Sequence, residues 1–443
     1  MLQDVHAAVD RAVDALRHEL TAFLQSLVRT PSITGTELAV QQLIDAKYRA
    51  LGLATDRVES TRALLEGHPA FSDDGIPFDD RVSIVGRWRG TGGGRSLILN
   101  GHADVVPAGD HTQWTANPWS GDIVDGRLYG RGACDMKAGL CAAAFSVQAL
   151  RIVGFEPAGD VLLQSVVAEE TGGIGTLTTI VSGYRADACI IAEPTGLAMW
   201  TAQSGALTFR ITIQGRAAHG ALKSRGVSAV GLFMPIFATL ERLDVERHQR
   251  RSHPLFDDPS TIAPISVGVV RGGDWASTVP ATLVAEGRFG VFPGESVDDA
   301  RASLARALDA EAARHPWFAD HPPRLEWIEG QFESGETPVD APIVQTLARN
   351  HRRVAKTDAS VSGISSGTDA RLFTRHAAIP TVLYGPGDVS LAHTVNEYVT
   401  LDEVVQCAKV LAHTIVEWCG APHLPNSGSP ALRSAVTAVP TNR

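Results

Sequence analysis

Two periods of hydrophobic and polar residues alternate along this chain, one helical and one strand-like. Residues 4–29 and 37–53 (ELAVQQLIDAKYRALGL) space their apolar side chains three and four apart, which predicts two amphipathic helices, the second ended by Gly52. Apolar runs at 82–88 and 96–101 predict strands. The glycine-rich stretch Gly90–Gly94 between them predicts a hairpin turn, since it lacks the GxxxxGK(S/T) spacing of a phosphate loop. MKAGLCAAAFSVQALRIVG (136–154) is dense in alanine and predicts a buried helix. DVLLQSVVA (160–168) and ACIIAEP (188–194) are near-continuous apolar runs, as expected of strands covered on both faces. This repetition predicts an α/β fold, a largely parallel central sheet flanked by helices.

The texture changes at residue 207. ALTFRITIQG alternates strictly, and it is followed by a helix (226–246), two strands (265–273 and 284–294), a charged helix (295–315) and the strand RLEWIEG. That order, β-α-β-β-α-β, predicts a ferredoxin-like α+β unit inserted as a lid or dimerisation domain. The division expected is 1–206 and 332–420 for a catalytic domain, 207–331 for the insert, and 421–443 for a disordered tail rich in Pro, Ser and Ala.

At 443 residues the chain is too long for one ordinary core. A formal charge of −10 without a Lys/Arg stripe argues against a nucleic-acid partner. No window approaches the roughly 18–20 apolar residues of a membrane span, and the N-terminus reads as a charged helix rather than an export signal. Five scattered cysteines without CxxC spacing read as reduced thiols in a cytoplasmic protein, Cys134 among them as a packing residue.

The chemistry lies in five short motifs: His102 in LILNGHADVV, Asp135 in LYGRGACDMKAG, Glu170 in QSVVAEETGG, Glu193 in CIIAEPTG and His393 in YGPGDVSLAHTVNE. Two imidazoles and three carboxylates exceed the three protein ligands of one catalytic zinc. They suit two divalent ions, with Asp135 as a two-oxygen bridge. Most lie at or just beyond strand ends, where open α/β sheets bind ligands. Taken singly, His102 reads as a hydrogen-bonded strand-end histidine, Asp135 as a helix cap and Glu169–Glu170 as a solvated pair. Together these acids could gather only around cations, because buried unpaired charges cost several kcal/mol. Asp104, two positions after His102, can reach back to the imidazole and fix its tautomer. Glu169 is an unliganded acid beside Glu170.

These motifs resemble those of the M20 family of metallopeptidases, and within it the acetylornithine deacetylase and succinyl-diaminopimelate desuccinylase branch. GHADVVP, NPWSGDIVDGRLYGRGACDMKAG, VVAEETGG, AEPTG, GRAAHG, SSGTDAR and the late AH fall in the family's order across residues 15–420. The resemblance implies two Zn²⁺ per subunit, with Co²⁺ able to substitute. His102 and Glu193 would hold one ion, Glu170 and His393 the other, and Asp135 would bridge them. It implies Glu169 as general base, Asp104 orienting His102, His219 reaching across a homodimer interface, and Arg371 gripping a substrate carboxylate. The chain departs from the family where an Asn commonly precedes a V-x-P element: here Ser277 or Thr278 stands in WASTVP.

The expected activity is hydrolysis of the amide of an N-acyl amino acid or related small N-acylated molecule, with metal-activated water and Glu169 as base. Alternatives are a di- or aminopeptidase, a deformylase or decarbamoylase on a non-amino-acid amide, and a non-catalytic zinc-binding protein on a degenerate scaffold. Such scaffolds lose a ligand or the base, and this chain keeps both.

Overall fold

The computed structural model describes residues 2–420, so the predicted tail at 421–443 lies outside the described residues. The main sheet runs in the order Ala54–Glu59, Val82–Trp88, Val161–Val166, Leu97–His102, Ala188–Ile191, Thr381–Leu383, Met199–Gln203, Gly335–Glu336, with Val361–Ile364 also pairing Met199–Gln203. Its centre is parallel: Leu97–His102 runs parallel to both Val161–Val166 and Ala188–Ile191, which in turn runs parallel to Thr381–Leu383. The flanking pairs are antiparallel, save that Val361–Ile364 runs parallel to Met199–Gln203.

The continuous apolar runs are explained by cover on both faces. Leu97, Leu99, Val161, Leu163 and Ile190 join a core with the helices Leu2–Ala15, Ala138–Ile152 and Leu401–Cys419. Their neighbours Ile98, Leu162 and Ile191 point the other way, into a second core with the helix Ile174–Val181. Each such side chain contributes about 1.5–3 kcal/mol by leaving water. The helix expected over 4–29 is two helices meeting at Leu16, whose backbone N–H still bonds Ala12 and Val13.

The hairpin expected around Gly90–Gly94 does not form. Val82–Trp88 and Leu97–His102 both pair with Val161–Val166, which lies between them. The glycines serve close backbone approach instead: a Cβ on Gly90 would sit 2.5 Å from the Ala158 carbonyl, and one on Gly94 2.4 Å from the Gly159 nitrogen.

Residues from 205 to 332 build a separate antiparallel sheet in the order Ile265–Gly272, Thr282–Val291, Gly205–Gln214, Arg324–Phe332. Leu207, Phe209, Ile211 and Ile213 alternate inward against the helices Ala229–Arg250 and Val297–Ala312. Among the described residues, no helix is long and apolar enough to cross a membrane.

Candidate metal centre

Three parallel strands end on one edge of the main sheet and deliver the acids there. His102 closes its strand, while Glu169–Glu170 and Glu193 stand just beyond Val161–Val166 and Ala188–Ile191. Asp135 comes from the irregular turn Ala133–Lys137, set between positive-φ Gly132 and the helix Ala138–Ile152. His393 follows the turn Val389–Leu391. Ala168 and His393 adopt left-handed backbone at φ 57° and 60°, a conformation costing about 1–3 kcal/mol that persists where the surroundings enforce it.

The carboxylate of Asp135 lies between two imidazoles. Its Oδ1 is 3.0 Å from His102 Nε2, and its Oδ2 is 3.4 Å from His393 Nε2. Glu193 Oε2 stands 3.9 Å from His102 Nε2, and Glu170 Oε2 3.1 Å from His393 Nε2. One donor atom each from His102, Asp135 and Glu170 falls within 4.8 Å of the others. The five side chains named from the motifs therefore converge as two imidazole–carboxylate pairs about a shared acid. Ligand atoms bonded to tetrahedral zinc lie roughly 3.3 Å apart, so these separations fit a divalent ion with nitrogen and oxygen donors.

The electrostatics point the same way. Burial pushes the Glu193 carboxyl up to about 8, with His102 opposing and Asp135 and Glu170 adding to the rise. Glu170 and Glu169 are also raised, burial first, with neighbouring acids contributing. Hydrogen bonds to Asp135 and Glu170 lift His393 to about 10. Burial disfavours charge on His102, yet the bond to Asp135 and the surrounding acids raise it well above its usual range. Asp135 moves oppositely: burial would raise it, but the two imidazoles hold it well below the ordinary carboxylate range. Divalent cations held among these groups would offset the crowding of acids.

A surrounding layer of hydrogen bonds fixes this constellation. The Asp104 carbonyl, rather than its carboxylate, stands 2.9 Å from His102 Nδ1; the carboxylate is 3.6 Å away. That carboxylate instead accepts the backbone N–H groups of Glu169 and Glu170 at 3.2 and 3.3 Å, and the Thr34 hydroxyl at 3.0 Å. Asp104 therefore ties the strand end of His102 to the Glu169–Glu170 turn.

Sequence reasoning missed Glu397. Fully buried, it accepts from Arg131 Nη1 at 2.6 Å and from the backbone N–H of Gly132, Cys134 and Asp135 at 3.0, 2.8 and 3.0 Å. It folds the Asp135 turn around itself. The only sequence signal was its place in the quoted HTVNE, four positions after His393.

Arg371 and His219 are not among the residues that line the cleft. Arg371 has no solvent exposure and does not line the cleft. It donates to the Gly172 carbonyl at 2.8 Å, and its Nε and Nη1 have no partner among the described residues. It braces the turn after Glu170. His219 is exposed on the inserted unit, outside the cleft lining, where its Nδ1 accepts from Ala221. Thr278, where the family commonly has Asn nearby, is bridged to His219 through the backbone. Arg288, from the same unit, donates to the Ser365 carbonyl beside the cleft, and nothing in its strand pattern marked it. Cys134 packs, its buried Sγ donating to the Asp388 carbonyl.

The chain is 29% identical over 431 residues to an N-formyl-4-amino-5-aminomethyl-2-methylpyrimidine deformylase of Halalkalibacterium halodurans, covering 92% of this chain and 96% of that one. It is 28% identical over 400 residues to an acetylornithine deacetylase of Edwardsiella ictaluri, covering 90% and 97%. Its fold matches an M20 family metallo-carboxypeptidase of Sulfolobus solfataricus with a TM-score of 0.73 at 17% identity, covering 91% of this chain and all of that one. With the model of peptidase family M20/M25/M40 matching residues 98–417, the chain belongs to that family and is an amidohydrolase.

Proposed function

We propose that the chain hydrolyses the amide bond of a small N-acylated molecule, an N-acyl amino acid or a close analogue, at a centre of two divalent ions shared by Asp135. The observation that carries this is the placement of the two Asp135 oxygens against His102 on one side and His393 on the other. His102 and Glu193 would hold one ion, His393 and Glu170 the second, with zinc or cobalt suited to the donors. When bound, such ions polarise the amide carbonyl and lower the pKa of water. Glu169 carries the proton chemistry: its carboxylate takes the proton of the attacking water and returns it to the leaving nitrogen. Its burial at the cleft wall, and the neighbouring acids that raise its pKa, suit a group that must hold a proton between those steps.

Glu169→Gln tests this assignment. Turnover should fall by roughly 10²–10⁴-fold while bound zinc stays unchanged; turnover near that of the native chain would refute it.

A second reading, a deformylase acting on an amide without a carboxylate, has its own support. The cleft of about 260 Å³ is lined by Trp200, Ile364 and Thr368 and by no lysine or arginine. Arg371 is buried, and Arg288 is engaged by Ser365. The relatives include a deformylase of that kind. A metal-replete screen of N-formyl and N-acetyl amines against N-acyl amino acids and dipeptides separates the readings: preference for the uncharged amines selects the second.

The active form is proposed to be a cytoplasmic homodimer formed through the inserted unit, with His219 serving the partner's cleft. An exposed apolar stripe on one helix there, Val230, Met234, Phe237 and Val245, supports such an interface. Sedimentation showing a monomer at catalytic concentration would contradict it.

A further inference from the structure

A half-open apolar pocket lies beside the strand Arg127–Tyr129 and the segment 396–398, near the turns that carry Asp135 and His393. It holds about 470 Å³, walled by Trp114, Tyr129 and Tyr398 and rimmed by the solvent-exposed Asn117 and Asp122 and the half-buried Asn396. That volume falls in the range of small-molecule sites, which pair apolar walls with a few polar groups.

Its polar groups are arranged unevenly. Asn117 and Asn396 each spend the side-chain oxygen on a neighbouring backbone N–H, of Trp119 and Thr115, at 2.8 and 2.7 Å. Neither amide nitrogen has a partner among the described residues. The Asp122 carboxylate likewise accepts from no described side chain or backbone group, and it is the one charged residue of the lining. Tyr129 and Tyr398 face one another with ring centroids 5.2 Å apart, and Arg127 lies over Tyr398. The wall therefore offers aromatic surface, two amide donors and one carboxylate acceptor. A ligand matching all three is flat, carries ring acceptors and bears an amino group.

We infer that this cavity is a second small-molecule site, for an amino-substituted aromatic heterocycle, distinct from the metal cleft. It adjoins the metal centre. The wall residue Gly130 donates its N–H to the Glu397 carbonyl at 2.9 Å, and Asn396 and Tyr398 flank Glu397, whose carboxylate holds the Asp135 turn. An occupant is thus one residue from the group that positions the shared acid, so binding there couples to metal affinity.

Calorimetric titration of the full chain with 4-aminopyrimidine tests the site, with pyrimidine-4-carboxylate as the anionic control. Saturable binding of the amine and none of the acid is expected. Ala116→Trp, which fills the cavity from its exposed rim, should abolish binding. Asp122→Asn should weaken it roughly tenfold, the loss of one charged hydrogen bond. Val389→Trp, which obstructs the cleft, should leave it unchanged. Absence of binding, binding indifferent to both cavity variants, or binding lost in Val389→Trp would overturn the site. With the probe saturating, the zinc dissociation constant should shift about fivefold or more; an unmoved constant would overturn the link to the metal centre.

Discussion

The carboxyl edge of the main sheet and the inserted four-stranded sheet are built on opposite terms. In the insert, Leu207, Phe209, Ile211 and Ile213 alternate inward without exception, and Arg210 pairs with Glu286 and Arg247 with Glu295. At the metal edge, acids are buried beside acids, Ala168 and His393 take left-handed backbone, and histidines are raised far above their ordinary range. The insert packs its core by local rules, and the residues proposed to act from it, His219 and the apolar stripe of one helix, stand exposed outside that core. The edge departs from those rules by gathering buried acids about two imidazoles, and such departures mark functional sites.

The sharpest way to break this contrast is through Glu397. If its four hydrogen bonds hold the Asp135 turn for metal binding, Glu397→Gln should reduce zinc affinity about 10–100-fold while the circular dichroism spectrum stays native. Unchanged affinity would reduce Glu397 to ordinary packing.

A second test uses pH on metal-free protein. Glu193 binds its proton up to about 8 in the folded chain but only to its usual 4.5 when unfolded. The folded state therefore holds more protons across that window, so stability falls as pH rises through it. His393, raised from 6.5 to about 10, acts in the same direction at higher pH, its stabilisation being complete below 6.5 and lost through 10. The lowered Asp135 contributes stability that is lost only in acid. Melting temperature of metal-free protein should thus decline from pH 5 to 9, and added zinc should raise it most at the alkaline end. A flat profile would contradict the crowding of acids.

The smallest expected effect lies in the insert. Ile211→Val should cost about 0.5–1.5 kcal/mol in denaturant unfolding and leave zinc content untouched. A loss of metal in that variant would show that the two regions are not independent.

Much of this was legible in the sequence, and the failures have physical causes. His102 at the end of its strand, and Glu170 and Glu193 within four residues of theirs, announce themselves, because an ionisable group at the mouth of a fully buried strand has few structural reasons to be there. The strands and helices over 205–332 were readable from the strict alternation of Ala206–Gly215 and the order of periods that follows it. The supposed hairpin failed because glycines signal tight turns and close backbone packing alike, and only Ala158–Gly159, far along the chain, decides between them. The burial of Arg371 was not legible, because a motif arginine carries no mark of its depth. Glu397 escaped because its partners lie more than 260 residues away, at Asp135 and its neighbours. No local pattern encodes such a contact.

The most direct test counts metal. Active protein dialysed free of loose ions should retain two zinc equivalents per chain by elemental analysis, His102→Ala and His393→Ala should each retain about one, and Asp135→Ala should retain little of either. Two equivalents lost together in the single histidine variants, or no more than one in the native chain, would contradict a pair of ions joined through Asp135.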